Sequence, residues 1–331
     1  MPVTLEYTLL DGQNERLELE DDAETVSIEN KGIVNIDLTP LSSLSNLKTL
    51  LLRYNQLTDI DLSPLHGMEN IEEIRIAHNQ LRILDTSVFS SLTKLKVFSF
   101  AGNELSHLDL APLASCTSLE EIGLRKNRLR RLDLSPLSSC KKLKALTLSE
   151  NQFEEIDLSA LSGCPEFTNF WISENMLRTL DLSPLCKSIF WLALNNNKLR
   201  TIDLSPLQDC TALSVLWLGE NELEEIDLSP LSSCSRLSTI HLDDNKLTHI
   251  DLAPLQSCDQ LGTVNLGHNQ LEQLDILPLS ECKKLRELVV DDPLALGFVE
   301  QYSYDTFKQF NFIIKPYSEY RRWVDGLIGK K

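Results

Sequence analysis

The chain has 331 residues, of which 42% are hydrophobic, and a formal net charge of −18. Phosphate backbones would be repelled by that charge, so nucleic acid is not expected as a partner. No run approaches the roughly eighteen consecutive apolar residues of a membrane helix, so no membrane contact is expected, and MPVTLEYTLL lacks the pattern of a secretory leader.

In residues 1–25, Val3, Leu5, Tyr7 and Leu9 alternate, DGQN forms a turn, and Leu17 and Leu19 alternate again. This pattern predicts a β-hairpin that serves as an N-terminal cap. Residues 26–293 then repeat on one ruler. Asn55, Asn79, Asn103, Asn127, Asn151, Asn175, Asn197, Asn221, Asn245 and Asn269 recur every 24 residues, except for one step of 22. Eleven aspartates, from Asp37 through Asp61 and Asp85 to Asp275, keep the same spacing. Without that column the net charge would be −7, so much of the acidity is a by-product of the repeat.

The frame is LxxLxLxxNxLxxIDLSPLxxC, nearly unbroken at 119–140. A fixed period of this length predicts a solenoid whose coils bury their apolar sides only against neighbours. Within a coil, Leu146 and Leu148 alternate with Ala145, Thr147 and Ser149, which predicts a short half-buried strand. The asparagine both donates and accepts, so a stack of them can satisfy turn backbone that has no ladder partner. Serine or threonine precedes the proline slot in eight of eleven coils. That pair predicts a serine N-cap opening a short helix or 3₁₀ turn. Parallel strands should line a concave side and these turns a convex one. In residues 294–331 the period is lost, and an aromatic-rich segment leads to a helix with Tyr320, Trp323 and Leu327 at helical spacing, which predicts a C-terminal cap.

These motifs resemble the leucine-rich repeat family over roughly residues 23–293. The resemblance implies an α/β solenoid, a horseshoe or arc of about eleven coils. It also implies a binding scaffold rather than an enzyme, and it leaves the ligand open. The 24-residue coil with its DLSPL tail departs from the longer ribonuclease-inhibitor-like repeat, so activities tied to that subclass do not carry over.

Seven of eight cysteines share one column, at Cys116, Cys140, Cys164, Cys210, Cys234, Cys258 and Cys282; Cys186 falls in the shortened coil. Earlier members of the column are Leu44, Met68 and Leu92, so the slot is apolar and these thiols should be buried and free. Free thiols point to a reducing, cytoplasmic setting. With no Cys/His cluster, and only one carboxylate per coil, neither zinc nor calcium is expected, and no cofactor. Each aspartate should instead accept backbone N–H groups at its turn. Catalytic motifs are lacking, and the nearest approach to a dyad is His241 with Asp243 and His268.

Exposed strand positions are where the repeat stops accounting for residue types. Early strands offer Arg53, Tyr54, Arg75, Arg125 and Lys126. Middle strands offer Trp171, Phe190, Trp191 and Trp217, and later ones Glu220, His241, Asp243, Asp244, Asp291 and Asp292. Trp171 and Trp217 share a column with Ala193 between them, which predicts a slot floored by alanine and walled by indoles. Clustered exposed aromatics mark binding surfaces.

The resulting expectation is a monomeric, non-catalytic scaffold. It would bind a protein or peptide bearing basic and apolar residues across strands 144–246. Trp171, Trp191, Trp217 and Phe190 would anchor the partner, and Glu150, Glu174, Glu220, His241, Asp243 and Asp244 would flank it. The alternatives are a regulator of a small GTPase or phosphatase acting through Arg125, Lys126, Arg128, Arg130 and Arg131, and an extracellular receptor or adhesion module.

Overall fold

The computed structural model describes residues 3–185, 188–292 and 312–320, and divides into two compact units, residues 1–167 and 168–331. The first unit opens with β1 (Val3–Leu9) and β2 (Asn14–Leu19), which pair antiparallel as a hairpin. After β3 (Thr25–Ser27), strand β4 (Ile33–Ile36) pairs with the other edge of β1, which stitches the hairpin onto the first coil. From β3 the sheet continues through β5 (Thr49–Leu51), β6 (Glu73–Arg75), β7 (Val97–Ser99), β8 (Glu121–Gly123) and β9 (Ala145–Thr147), all parallel.

The second unit holds a parallel sheet of β10 (Asn169–Trp171), β11 (Trp191–Ala193), β12 (Val215–Trp217), β13 (Thr239–His241), β14 (Thr263–Asn265), β15 (Glu287–Val290) and β16 (Ile313–Pro316). The period fixes the register. Phe170, Leu192, Leu216, Ile240, Val264 and Leu288 lie side by side and are all buried. In the first unit phenylalanines take several leucine positions, and Phe89, Phe98 and Phe100 pack with ring centroids 4.7–6.2 Å apart.

The asparagine column behaves as its chemistry predicts. Asn127 accepts from the Leu105 N–H at 3.0 Å and donates to the Phe100 and Leu124 carbonyls at 3.0 and 3.1 Å, so one amide ties two coils together. Asn221 does the same with Leu199, Leu194 and Leu218. The residue before each asparagine is left-handed: Tyr54, His78, Lys126, Glu150, Glu174, Asn196, Glu220, Asp244 and His268 have φ between 51° and 58°. Only Gly102 in this column is the residue such a backbone favours, and a Cβ there would meet the His78 ring at 2.6 Å. Nothing in the residue types announces this conformation.

All eleven aspartates accept the N–H two residues on, from Thr39 at 2.9 Å to Leu277 at 3.0 Å. The hydroxyl and N–H of Thr39 hold Asp37, and the N–H and hydroxyl of the serine two residues on hold Asp85, Asp133, Asp181 and Asp227, below the usual carboxylate range. The expected serine N-cap is not seen. The cap position is a leucine such as Leu134, without a side-chain bond, and Ser135 is the first residue of the 3₁₀ turn. The Ser135 N–H is itself taken by Asp133 and the Ser135 hydroxyl donates to the same carboxylate, so the serine sits inside the turn and caps nothing. The short helices that come after the aspartates are 3₁₀ helices of three to five residues.

The cysteines of the column are free and buried, and Sγ points at a carbonyl of the preceding coil, as Cys116 does to Phe89 at 3.2 Å and Cys282 to Leu255 at 3.2 Å. Cys186 lies outside the described residues. Burial pushes the Cys116 and Cys258 thiols up to about 12, so almost no thiolate exists near neutrality. A maleimide should therefore label the seven column positions slowly in the native protein and rapidly in guanidinium. Fast native labelling at several of them, read by mass spectrometry, would show the slot to be open.

At the C-terminal side, β16 adds a parallel strand to β15 and residues 317–320 are helical. Tyr317 packs so closely on Gly267 that any Cβ there would collide with its ring, and it stacks on His268 at 5.8 Å. Lys315 pairs with Glu287 at 2.6 Å, and the Ser318 hydroxyl donates to Asp292 at 2.7 Å. Trp323 and Leu327 of the expected helix lie outside the described residues.

Candidate functional site

On the open face of the second unit, the parallel register sets Asn169, Trp191, Val215 and Thr239 in one row and Trp171, Ala193, Trp217 and His241 in the next. The three tryptophans are brought together, but not as the walls of an empty slot. Trp191 leans across from its own row and fills the space over Ala193, which is only 1% exposed. Its ring lies 5.7 Å from Trp171 and, nearly perpendicular at 81°, 5.2 Å from Trp217. The expected slot is therefore occupied, because alanine leaves room above itself for the neighbouring row. The indoles form a half-buried edge-to-face stack, an arrangement favourable for ring quadrupoles.

His241 extends the stack, with its ring 5.8 Å from Trp217. Its Nδ1 is 3.9 Å from Asp243, too long for a hydrogen bond, in keeping with the reading of these residues as polar surface and not a dyad. Burial pushes the imidazole down to about 4, against the opposing pull of Glu287. The unfolded chain titrates near 6.5, so the neutral ring contributes stability in full above that value, and the contribution is lost as pH falls toward 4. At pH 5 the expected loss is about 2 kcal/mol relative to pH 7.5. Thermal melts of wild type and His241→Gln should differ in pH dependence by that amount, and parallel profiles would refute the assignment.

The acidic positions divide by environment. Glu174 and Glu220 are exposed at left-handed turn positions. Asp243 is 8% exposed, and Asp244 is engaged by the His268 ring and the Tyr317 hydroxyl. Phe190 is not part of the indole stack. It precedes β11, is 41% exposed, and helps line a separate cavity of about 520 Å³ with Ser214, Ser235, Arg236 and Ser238.

Sequence reading missed this cavity, although a signal was present. The corresponding column in the first unit alternates charge, and pairs Lys48 with Glu24, Lys96 with Glu72 and Lys144 with Glu120 at 2.6–2.7 Å. In the second unit it reads Thr168, Phe190, Ser214, Ser238 and Gly262. Loss of the charged pairs leaves the edge open.

Three of the five basic residues in the first unit's cluster have partners in their own ladder, while Lys126 and Arg131 are exposed. Arg125 pairs with Glu150, Arg128 meets Glu104 at 3.1 Å, and Arg130 donates to Gln152 at 3.0 Å. Tyr54 stacks on His78 at 4.5 Å in the same unit.

Two unpaired donors distinguish the indole stack. Nε1 of Trp191 and of Trp217 is buried without an acceptor, and Nδ2 of Asn265 is likewise unpaired. Each such group costs about 1–3 kcal/mol.

Comparison with known proteins gives a consistent answer on the fold. Residues 23–81, 69–129 and 117–183 match the leucine rich repeat, and residues 185–309 match the BspA type leucine rich repeat region. Among solved structures, an internalin from Listeria monocytogenes is 26% identical with a TM-score of 0.70, over 82% of this chain and 74% of that one. A leucine-rich repeat protein of Leptospira interrogans is 18% identical with a TM-score of 0.67, over 89% and 78%. The TLR13 chain of a TLR13–ssRNA13 complex is 22% identical with a TM-score of 0.62, over 76% and 37%. The search of curated proteins returns no significant match.

Proposed function

The chain belongs to the leucine-rich repeat family, and from that premise we propose that it is a non-catalytic interaction scaffold whose partner lies on the strand face of the second unit. The observation that carries this reading is the tryptophan stack. Three of the chain's four tryptophans stand on successive strands at outward positions, where the repeat itself asks for nothing aromatic. Large aromatics with a charged rim are the anatomy of binding hot spots. The flanking Glu174, Glu220, Asp243 and Asp244 favour a partner with basic residues beside its apolar ones, and disfavour nucleic acid. The buried thiols suit a reducing, cytoplasmic setting.

The test compares capture from lysate by the full chain with capture by Trp171→Ala and by Glu220→Lys, each checked for an unchanged circular dichroism spectrum. Both variants should lose the same partner, and Glu220→Lys should do so most at low salt. Unchanged capture by both would reject this face as the site.

A further inference from the structure

We infer that the tryptophan stack reads the main-chain carbonyl oxygens of an extended cationic peptide, with Trp191 Nε1 and Trp217 Nε1 as the donors. This rests on the strand face being the binding surface.

Among the described residues, the buried side-chain polar atoms without a hydrogen-bond partner are Glu287 Oε1, which Lys315 meets as an ion pair, and three nitrogens, Trp191 Nε1, Trp217 Nε1 and Asn265 Nδ2. All three belong to outward strand positions of the second unit, on β11, β12 and β14. Chance would scatter such groups through the chain. Here the three nitrogens gather on the outward positions of one unit, and, with the carboxylate met by Lys315, what remains there is donors in need of acceptors. The charge of the surroundings then selects among acceptors. Beside Glu174, Glu220 and Asp243, a carboxylate or phosphate would be repelled, which leaves neutral oxygens carried by a cationic molecule. Peptide carbonyls flanked by lysine or arginine meet both conditions. Every second carbonyl of an extended chain points the same way and recurs at about 6.6 Å, so successive acceptors can be offered to donors on neighbouring strands. Binding turns the indoles out of their edge-to-face contact and exchanges ring packing for hydrogen bonds. Recognition of this kind tolerates different side chains, because the groups read are common to all residues.

The experiment uses the full chain labelled with ¹⁵N and follows the indole N–H resonances. The probes are N-acetyl-octalysine amide, and a polyallylamine of matched charge that carries ammonium groups but no carbonyl. Octalysine should move the Trp191 and Trp217 resonances downfield, and polyallylamine should leave them in place. Trp217→Phe, which keeps a ring and removes the N–H, should weaken octalysine binding about tenfold and leave polyallylamine binding unchanged. Octalysine binding with unmoved indole signals, or equal shifts from both probes, would overturn the carbonyl assignment while leaving the surface as a cationic-partner site. Absence of octalysine binding would overturn the carbonyl reading, while the strand face as the binding surface stands or falls by the capture experiment with Trp171→Ala and Glu220→Lys.

Discussion

Replacing Asn221 by alanine should destabilise the second unit by about 3 kcal/mol, the largest single-residue effect expected outside the leucine core. The side chain accepts from Leu199 at 3.1 Å and donates to Leu194, Leu218 and Gly219 at 3.0–3.2 Å. Alanine strands a buried N–H and buried carbonyls that no water can reach. Aspartate should be worse. It is nearly isosteric, but its carboxylate would face those carbonyls as a buried charge with no proton to donate. Coils contact only their neighbours, so the damage should stay local, and amide exchange should rise in 194–223 before it rises elsewhere in the unit. Urea melts give the magnitude. A loss below about 0.5 kcal/mol for both variants would mean the amide column is dispensable.

Trp191→Ala should cost both stability and affinity, by about 2 kcal/mol each. Its ring is the middle of the stack, touching Trp171 and Trp217 and covering Ala193. Trp171 has one indole neighbour on β11, so Trp171→Ala should lower stability by only about 1 kcal/mol while weakening the partner comparably. The contrast separates the two roles of the stack. If stability falls in that order but affinity for the captured partner is unchanged in both variants, the indoles are structural and the proposed surface is wrong. Neutralising Glu220 should act mainly on association rate and salt dependence.

The parts legible in the sequence are those where one residue type does one job in every coil. Asn127 and Asp133 stand in columns whose chemistry predicts their bonds, and the structure contains those bonds; Cys140 stands in one whose apolar members predict a buried thiol, and it is buried. The left-handed backbone before each asparagine was hidden because Tyr54, His78, Lys126 and Glu150 share no property. Their φ is imposed by the turn around them, not by their own preference. The serine cap failed by one position: the turn opens after the leucine, so Ser135 is its first residue and its own N–H is the one the aspartate takes. The indole slot failed because a row-by-row reading keeps side chains in their own rows, while a ring as long as that of Trp191 crosses to the next one wherever alanine leaves space. Of the candidate site, the membership of the three tryptophans was legible; their mutual packing and the separation of Phe190 were not.

The left-handed column has a bearing on how such a chain can be altered. Most side chains there hold a conformation that costs roughly 1 kcal/mol because the penalty arises at Cβ, less for Asn196 and Asp244 and more for any β-branched replacement. A swap between unbranched residues is therefore close to neutral for backbone strain where the side chain makes no contact of its own. The position is thus a register of replaceable letters: Tyr54, His78, Gly102, Lys126 and Glu150 spell one word in the first unit, and Glu174, Asn196, Glu220, Asp244 and His268 another in the second. Rewriting Lys126 or Glu220 would change what the surface says at little cost to the scaffold, whereas glycine throughout would also remove the Tyr54–His78 stack, the Arg125–Glu150 pair and the hold of His268 and Tyr317 on Asp244.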